Sequence, residues 1–230
     1  MGRARSRFLV PTVSALLMLA VLIALGTWQI YRLHWKLGVL AQIATAENAP
    51  PVPLGPNPAP YTKVAATGRF RFDLAAQYGS EVRDTPAGPV IGSYQIVPLE
   101  RSGAPAILVN RGWIPQKREA ALNHPSGEVT VTGYVRPGDT ARWFSAADDV
   151  AGREFFTLDP DAIARAVGED DILPFILVAL GPAPPNVYPA PADHLPRPPN
   201  NHLSYVITWY GLALALVVVF VVWMRKALRQ

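Results

Sequence analysis

The sequence predicts a membrane protein in which two antiparallel transmembrane helices flank a mostly β (α+β) extramembrane domain with an antiparallel sheet or open barrel. Three observations carry this fold class. A long uncharged apolar run lies near each end; short β-branched and aromatic runs fill the middle; and proline-dense segments separate the middle from both ends. With 230 residues, the chain has room for one globular unit plus anchors, and little for two separate cores.

The first apolar run covers residues 8–30 and the second residues 203–224, neither with a charge. About 20 helical residues cross a hydrocarbon core of about 30 Å, so both are long enough to span. The first run exceeds the apolar stretch of a cleaved signal peptide and no convincing A-x-A site follows it, which favours an anchor. Arg3, Arg5 and Arg7 in the tail 1–7, with Arg225, Lys226 and Arg229 in the tail 225–230, place both termini in the cytoplasm and residues 31–202 outside. Trp28, Tyr31 and Trp35 on the first helix, and Tyr205, Trp209 and Tyr210 on the second, fit an aromatic belt at the outer boundary. Small-xxx-small spacing at Ala20 and Ala24, and at Gly211 and Ala215, offers a route to close helix contact.

Within the outer domain, a short charged helical stretch at 33–46 leads into 49–60, whose prolines suit an extended polyproline spacer better than a helix or sheet ladder. A second such tether, 181–200, contains eight prolines and leads into the second membrane helix. Strand signals fall at 64–72, 76–83, 93–99, 106–114, 128–135, 154–158 and 175–180. Residues 159–167 read as a helix, with Asp159 as N-cap and Pro160 at the first helical position. Regular βαβ alternation is absent.

Six of the 21 basic side chains sit in the two tails, leaving 15 to face all 17 acidic ones, so the central domain is slightly acidic. A nucleic-acid partner, which needs a basic stripe to neutralise phosphate, is excluded on this ground. The chain has no cysteine, which removes disulfides, thiolate metal sites and CxxC chemistry. No nucleotide, hydrolase, zinc-protease or EF-hand motif occurs. Ser80 and Ser93 near glycines read as turn residues, so the chain reads as a non-enzyme.

Of the four histidines, His34, His124 and His194 fall in solvated settings, while His202 opens the second membrane helix. Asn200 and Asn201 before it suit a helix cap, and Tyr205 and Trp209 at i+3 and i+7 share its face. Position alone leaves two readings open. One is an interfacial histidine reaching water. The other is an axial ligand to haem iron, with Arg32 and Lys36 in the same leaflet to pair haem propionates.

The stretches Leu25-Gly-Thr-Trp-Gln-Ile-Tyr-Arg-Leu-His-Trp-Lys36, Gly68-Arg-Phe, Val109-Asn-Arg-Gly-Trp-Ile-Pro115 and Asn200-Asn-His-Leu-Ser-Tyr-Val-Ile-Thr-Trp-Tyr-Gly211 together resemble the Surfeit locus assembly-factor family of cytochrome c oxidase. That resemblance implies a membrane chaperone that receives haem a from haem a synthase and assists its insertion into oxidase subunit I. It also implies that His202 is the haem-binding histidine, with Trp28 packing on the porphyrin or anchoring in membrane lipid. By the same resemblance, the segment from Asn110 to Trp113 maintains the domain, with Gly112 permitting a turn or bulge. Ile96-Val-Pro-Leu99 departs from the family's usual Thr-Pro-Leu ending, and His34 has no counterpart. Without a transit-peptide-like extension, a bacterial origin is favoured, which makes the membrane the inner one and the central domain periplasmic. Two rivals stand beside this reading: a scaffold that holds subunit I without touching haem, and a membrane-tethered hydrolase that lacks any catalytic constellation.

Overall fold

The computed structural model describes residues 2–85, 88–116, 122–182 and 184–229, with residues 2–7 and 85 described by backbone alone. The side chains of the tail arginines Arg3, Arg5 and Arg7 therefore lie outside the described residues. The chain divides into two compact units, Ile43–Pro196 and the terminal segments up to Gln42 and from Arg197.

The terminal unit is helical. Helix α1, Gly2–Asn48, is a single helix of 47 residues, and α3, His202–Ala227, has 26. Both are long and apolar enough to cross a membrane. The sequence separates a span at 8–30 from a second helical stretch at 33–46, but nothing between them breaks a helix: 31–32 are Tyr and Arg, both compatible with it. Pro11 is accommodated inside α1, where the hydroxyl of Thr12 donates to the carbonyl of Phe8 at 2.7 Å.

The middle unit is β-rich, with strands β1 (Val52–Pro53), β2 (Lys63–Phe70), β3 (Ala76–Thr85), β4 (Gly88–Arg101), β5 (Ala104–Pro115), β6 (Val129–Pro137), β7 (Glu154–Phe155) and β8 (Ile172–Ala179). Helix α2, Pro160–Val167, precedes β8. Its start follows the sequence: the Asp159 carboxylate accepts from the backbone N–H groups of Asp161 at 3.0 Å and Ala162 at 3.1 Å, with Pro160 opening the helix and Gly168 in the left-handed region ending it.

The sheet runs β1-β2-β6-β8-β5-β4-β3-β7, and an additional pairing of β2 with β4 closes β2, β6, β8, β5 and β4 into a ring. Of the expected antiparallel sheet or open barrel, the barrel alternative is the nearer, and it is corrected on two points. The ring is closed by Arg69 opposite Glu100 and Phe70 opposite Leu99. It is also mixed, because β8 is parallel to β5 and antiparallel to β6. That follows from insertion: β5 and β6 run in opposite senses, so a strand placed between them must be parallel to one. Closure needs close approach, and Gly68 supplies it, since a Cβ there would stand 2.1 Å from the carbonyl oxygen of Glu100.

Inside the ring pack Val64, Leu99, Ile107, Val109, Val135, Phe175 and Leu177. On the other face, Ile96, Leu108 and Ile176 pack with Ile163 and Val167 of α2 and with Phe155 and Leu158. β5 is therefore buried on both faces, which explains its unbroken run Ala106-Ile-Leu-Val109.

The two proline segments depart from the spacer expectation. Val52 and Pro53 pair in parallel with Val64 and Ala65. In the second segment, Ala190 exchanges both backbone hydrogen bonds with Trp113 at 2.9 Å, Leu180 bridges Ala192, and Leu195 is fully buried. An extended backbone still presents carbonyls and the N–H groups of its non-proline residues, and alanine and leucine interleaved with proline here suffice to pair.

Candidate functional site

In the terminal unit, half-buried and buried positions of α1 recur at Phe8, Thr12, Ala15, Leu19, Leu22, Gly26 and Gln29, alternating steps of four and three. On α3 they recur at His202, Val206, Trp209, Ala213, Leu216 and Phe220 with the same rhythm. That spacing is the seam of two helices packed at a shallow angle. Gln29 meets His202, Thr27 meets Tyr210 and Phe8 meets Trp223, so numbers fall on one helix as they rise on the other and the pair is antiparallel.

The expected small-residue contact lies elsewhere than Ala20, Ala24, Gly211 and Ala215, all of which are exposed. The close approach is at Gly26, where a Cβ would lie 3.1 Å from the Tyr210 ring, and at buried Ala213.

At the start of α3, the ring of His202 is half-buried in the seam, its Nδ1 2.7 Å from Oε1 of Gln29. Gln29 is only 8% exposed, a polar group enclosed in a seam made mostly of apolar side chains. The backbone N–H of His202 donates to the Asn200 carboxamide oxygen at 3.4 Å, while Asn201, at the cap position, makes no side-chain cap bond. Of the two asparagines read as caps, neither serves the N2 or N3 N–H; Asn200 reaches only the N–H of the first helical residue.

Two turns deeper, the indole Nε1–H of Trp209 is buried without a hydrogen-bond partner among the described residues. A buried orphan donor costs about 1–3 kcal/mol, so its position is a standing invitation to an acceptor. Tyr205 and Trp28 are each 53% exposed and face out of the seam. Arg32 is exposed, its guanidinium 4.6 Å from the Trp35 ring centroid, while Lys36 is half-buried. Because α3 begins opposite Gln29, Arg32 and Lys36 sit on the stretch of α1 just past that end, about one and two turns beyond Gln29.

Gln29 is the residue that the sequence reading passes over. Its signal is visible, a lone amide in an uncharged apolar run. Its partner is not, because only the register of the helix pair brings residues 29 and 202 together.

In the middle unit, the Asn-Arg-Gly-Trp segment is built into the sheet. Gln95 pairs with Gly112 and Ile96 with Asn110, so Arg111 is the extra residue of a bulge, and the Asn110 side chain accepts from the Gly112 N–H at 3.0 Å. The Arg111 guanidinium donates to Gln95 Oε1 at 2.8 Å and to the Asn123 carbonyl at 2.6 Å and lies 4.9 Å from the ring centroids of both Phe70 and Phe72. Burial pushes its pKa down to about 10. His124, expected in solvent, is exposed yet stacks on Phe72 at 4.3 Å. Trp113 is buried in the core and its Nε1 donates to the Glu81 carbonyl at 3.1 Å.

Ser80 and Ser93 both line a cavity of about 330 Å³, where the Ser93 hydroxyl donates to the Gln77 side chain at 2.7 Å. An amide oxygen is a poor proton acceptor, so this contact does not activate a nucleophile.

Residues 16–214 match the model of the SURF1 family. The chain is 29% identical over 215 residues to a SURF1-like protein of Rickettsia conorii, covering 90% of this chain and 88% of the relative. It is 30% identical over 226 residues to Surfeit locus protein 1 of Homo sapiens, covering 89% of this chain and 73% of the relative.

Proposed function

We propose that this chain, which belongs to the SURF1 family, is an assembly factor of cytochrome c oxidase that binds haem a and assists its insertion into oxidase subunit I. Its partners are then subunit I and haem a synthase, and its place is the bacterial inner membrane, with both termini cytoplasmic and the central domain periplasmic. It works by binding and handing over, not by catalysis.

The membrane part is supported by an inside-out distribution of polarity in the helix pair. Leu16, Leu17, Ile207, Leu214 and Val219 are each at least 60% exposed, whereas Gln29 is enclosed. Water would favour the reverse, and lipid favours this.

The observation that carries the haem reading is His202: a single imidazole at the helix entrance, in the same seam as the orphan Nε1–H of Trp209. Among the described residues no three His, Cys, Asp or Glu side chains gather as a metal cluster. One imidazole suits an iron whose porphyrin brings four nitrogens of its own. His202 would supply the axial nitrogen, Trp209 a hydrogen bond toward a polar substituent, and Arg32 and Lys36 positive charge for the propionates. Trp28 and Tyr205, exposed on the outer faces, would offer aromatic surface to the ring.

A second reading has an observation of its own. The His202–Gln29 contact already joins the two helices, as polar pairs do in membranes, so the pair fits a scaffold that holds subunit I without haem.

The test is made in a bacterial host deleted for its own family member, by measuring haem a per purified oxidase. Wild type restores haem a in subunit I and His202→Ala does not. Full restoration by His202→Ala would favour the scaffold.

A further inference from the structure

We propose that Gln29 is a positioning residue for His202, holding its imidazole as the tautomer with the proton on Nδ1 and the lone pair on Nε2. The relevance of Nε2 rests on the haem-ligand reading given above; the tautomer itself does not.

An amide enclosed away from water is costly unless its polar atoms are engaged, and Gln29 is 8% exposed at the end of the seam where α3 begins. Its Oε1 lies 2.7 Å from Nδ1 of His202. A carbonyl oxygen only accepts, so the hydrogen in this bond belongs to Nδ1. A neutral imidazole carries one N–H, and with Nδ1 occupied the opposite nitrogen keeps its lone pair. Nε2 is then the donor atom for a metal.

The bond also fixes where the ring points. His202 is the first residue of α3, a place where helices fray. Two contacts hold it: its backbone N–H to Asn200, and its ring to Gln29 on the other helix. A hydrogen bond to the far ring nitrogen of a ligating histidine sets tautomer and orientation and raises ligand basicity. Here that role falls to an amide from the partner helix, so ring position depends on helix register. A shift of one residue between α1 and α3 would separate the two side chains. The same device would couple haem release to any change in helix packing that draws Gln29 away.

The experiment uses the full chain in detergent, with ¹⁵N-labelled histidine and no haem, and His202→Ala to assign the resonances. In wild type, the protonated-type signal of His202 belongs to Nδ1 and the unprotonated-type signal to Nε2. Gln29→Leu, close in volume and without an acceptor, gives a mixture of tautomers, and Gln29→Glu, which keeps an acceptor, restores the wild-type pattern. Titration with extracted haem a then shows binding weakened about 10–100-fold by Gln29→Leu and recovered by Gln29→Glu. A wild-type ring protonated at Nε2, or a Gln29→Leu protein with an unchanged tautomer, overturns the proposal. If His202→Ala loses haem while Gln29→Leu binds it like wild type, the positioning role falls and the haem reading survives. If His202→Ala binds as much haem as wild type, the haem reading falls and the nitrogen signals alone decide the role of Gln29.

Discussion

Gly112 lies directly against Ala190: a Cβ on the glycine would stand 2.0 Å from the alanine carbonyl oxygen. The backbone there has φ of 123°, a region side chains rarely adopt. This glycine lets a proline-rich segment seal one edge of the ring through the paired bonds of Trp113 and Ala190.

Gly112→Ala is accordingly expected to cost about 2–4 kcal/mol, from backbone strain plus expulsion of the Ala190 strand. Thermal unfolding of the detergent-purified full chain measures it. A change under about 0.5 kcal/mol would mean that the contact contributes little.

Arg111 is held as a planar group, by two hydrogen bonds and the rings of Phe70 and Phe72. A lysine ammonium cannot serve both acceptors and lie flat on both rings. Arg111→Lys should therefore destabilise by about 1–2 kcal/mol by the same unfolding measurement, despite conserving charge.

Glu81 is pulled two ways. Burial raises its pKa, while hydrogen bonds from Tyr94 and Arg83 lower it by more, so the net shift is below the usual 4.5. A carboxylate lowered on folding stabilises above its unfolded pKa, and that contribution is lost as pH falls through the folded value. With the side chain 41% exposed, solvent screening limits it to about 0.5 kcal/mol. The stability difference between wild type and Glu81→Gln should be present at pH 7 and shrink as the pH falls below 4.5 through the lowered folded value.

At the seam, Gly26 faces the Tyr210 ring, a flexible side-chain end that can give way. Gly26→Ala should cost less than about 1 kcal/mol, the loss being the 3.0 Å contact between the Thr27 and Tyr210 hydroxyls. Gly26→Ile, branched at Cβ, should part the helices and cost about 2 kcal/mol or more. Circular-dichroism melts of the two variants in detergent give the comparison, and equal losses would show that packing at Gly26 does not hold the pair.

The elements that sequence exposes here are those written in local chemistry. Asp159 and Pro160 announce α2, and short stretches containing β-branched and aromatic residues announce the long strands. Gly112 announces a bulge, though its cause lies 78 residues away at Ala190, beyond any local pattern. Closure of the ring and the parallel pairing of β5 with β8 depend on which strands neighbour one another, and strand propensity does not encode neighbours. The same holds at the site. His202 stands out by position at a helix entrance, whereas Gln29 acquires its meaning only from the antiparallel register that sets it opposite.

The central claim, that this chain handles haem a through His202, is tested most directly by the visible spectrum and extracted haem content of the protein purified after co-expression with the haem a synthesis enzymes. The account predicts haem a bound to wild type and largely lost from His202→Ala; a wild-type protein free of haem, or a variant that retains all of it, would contradict the claim.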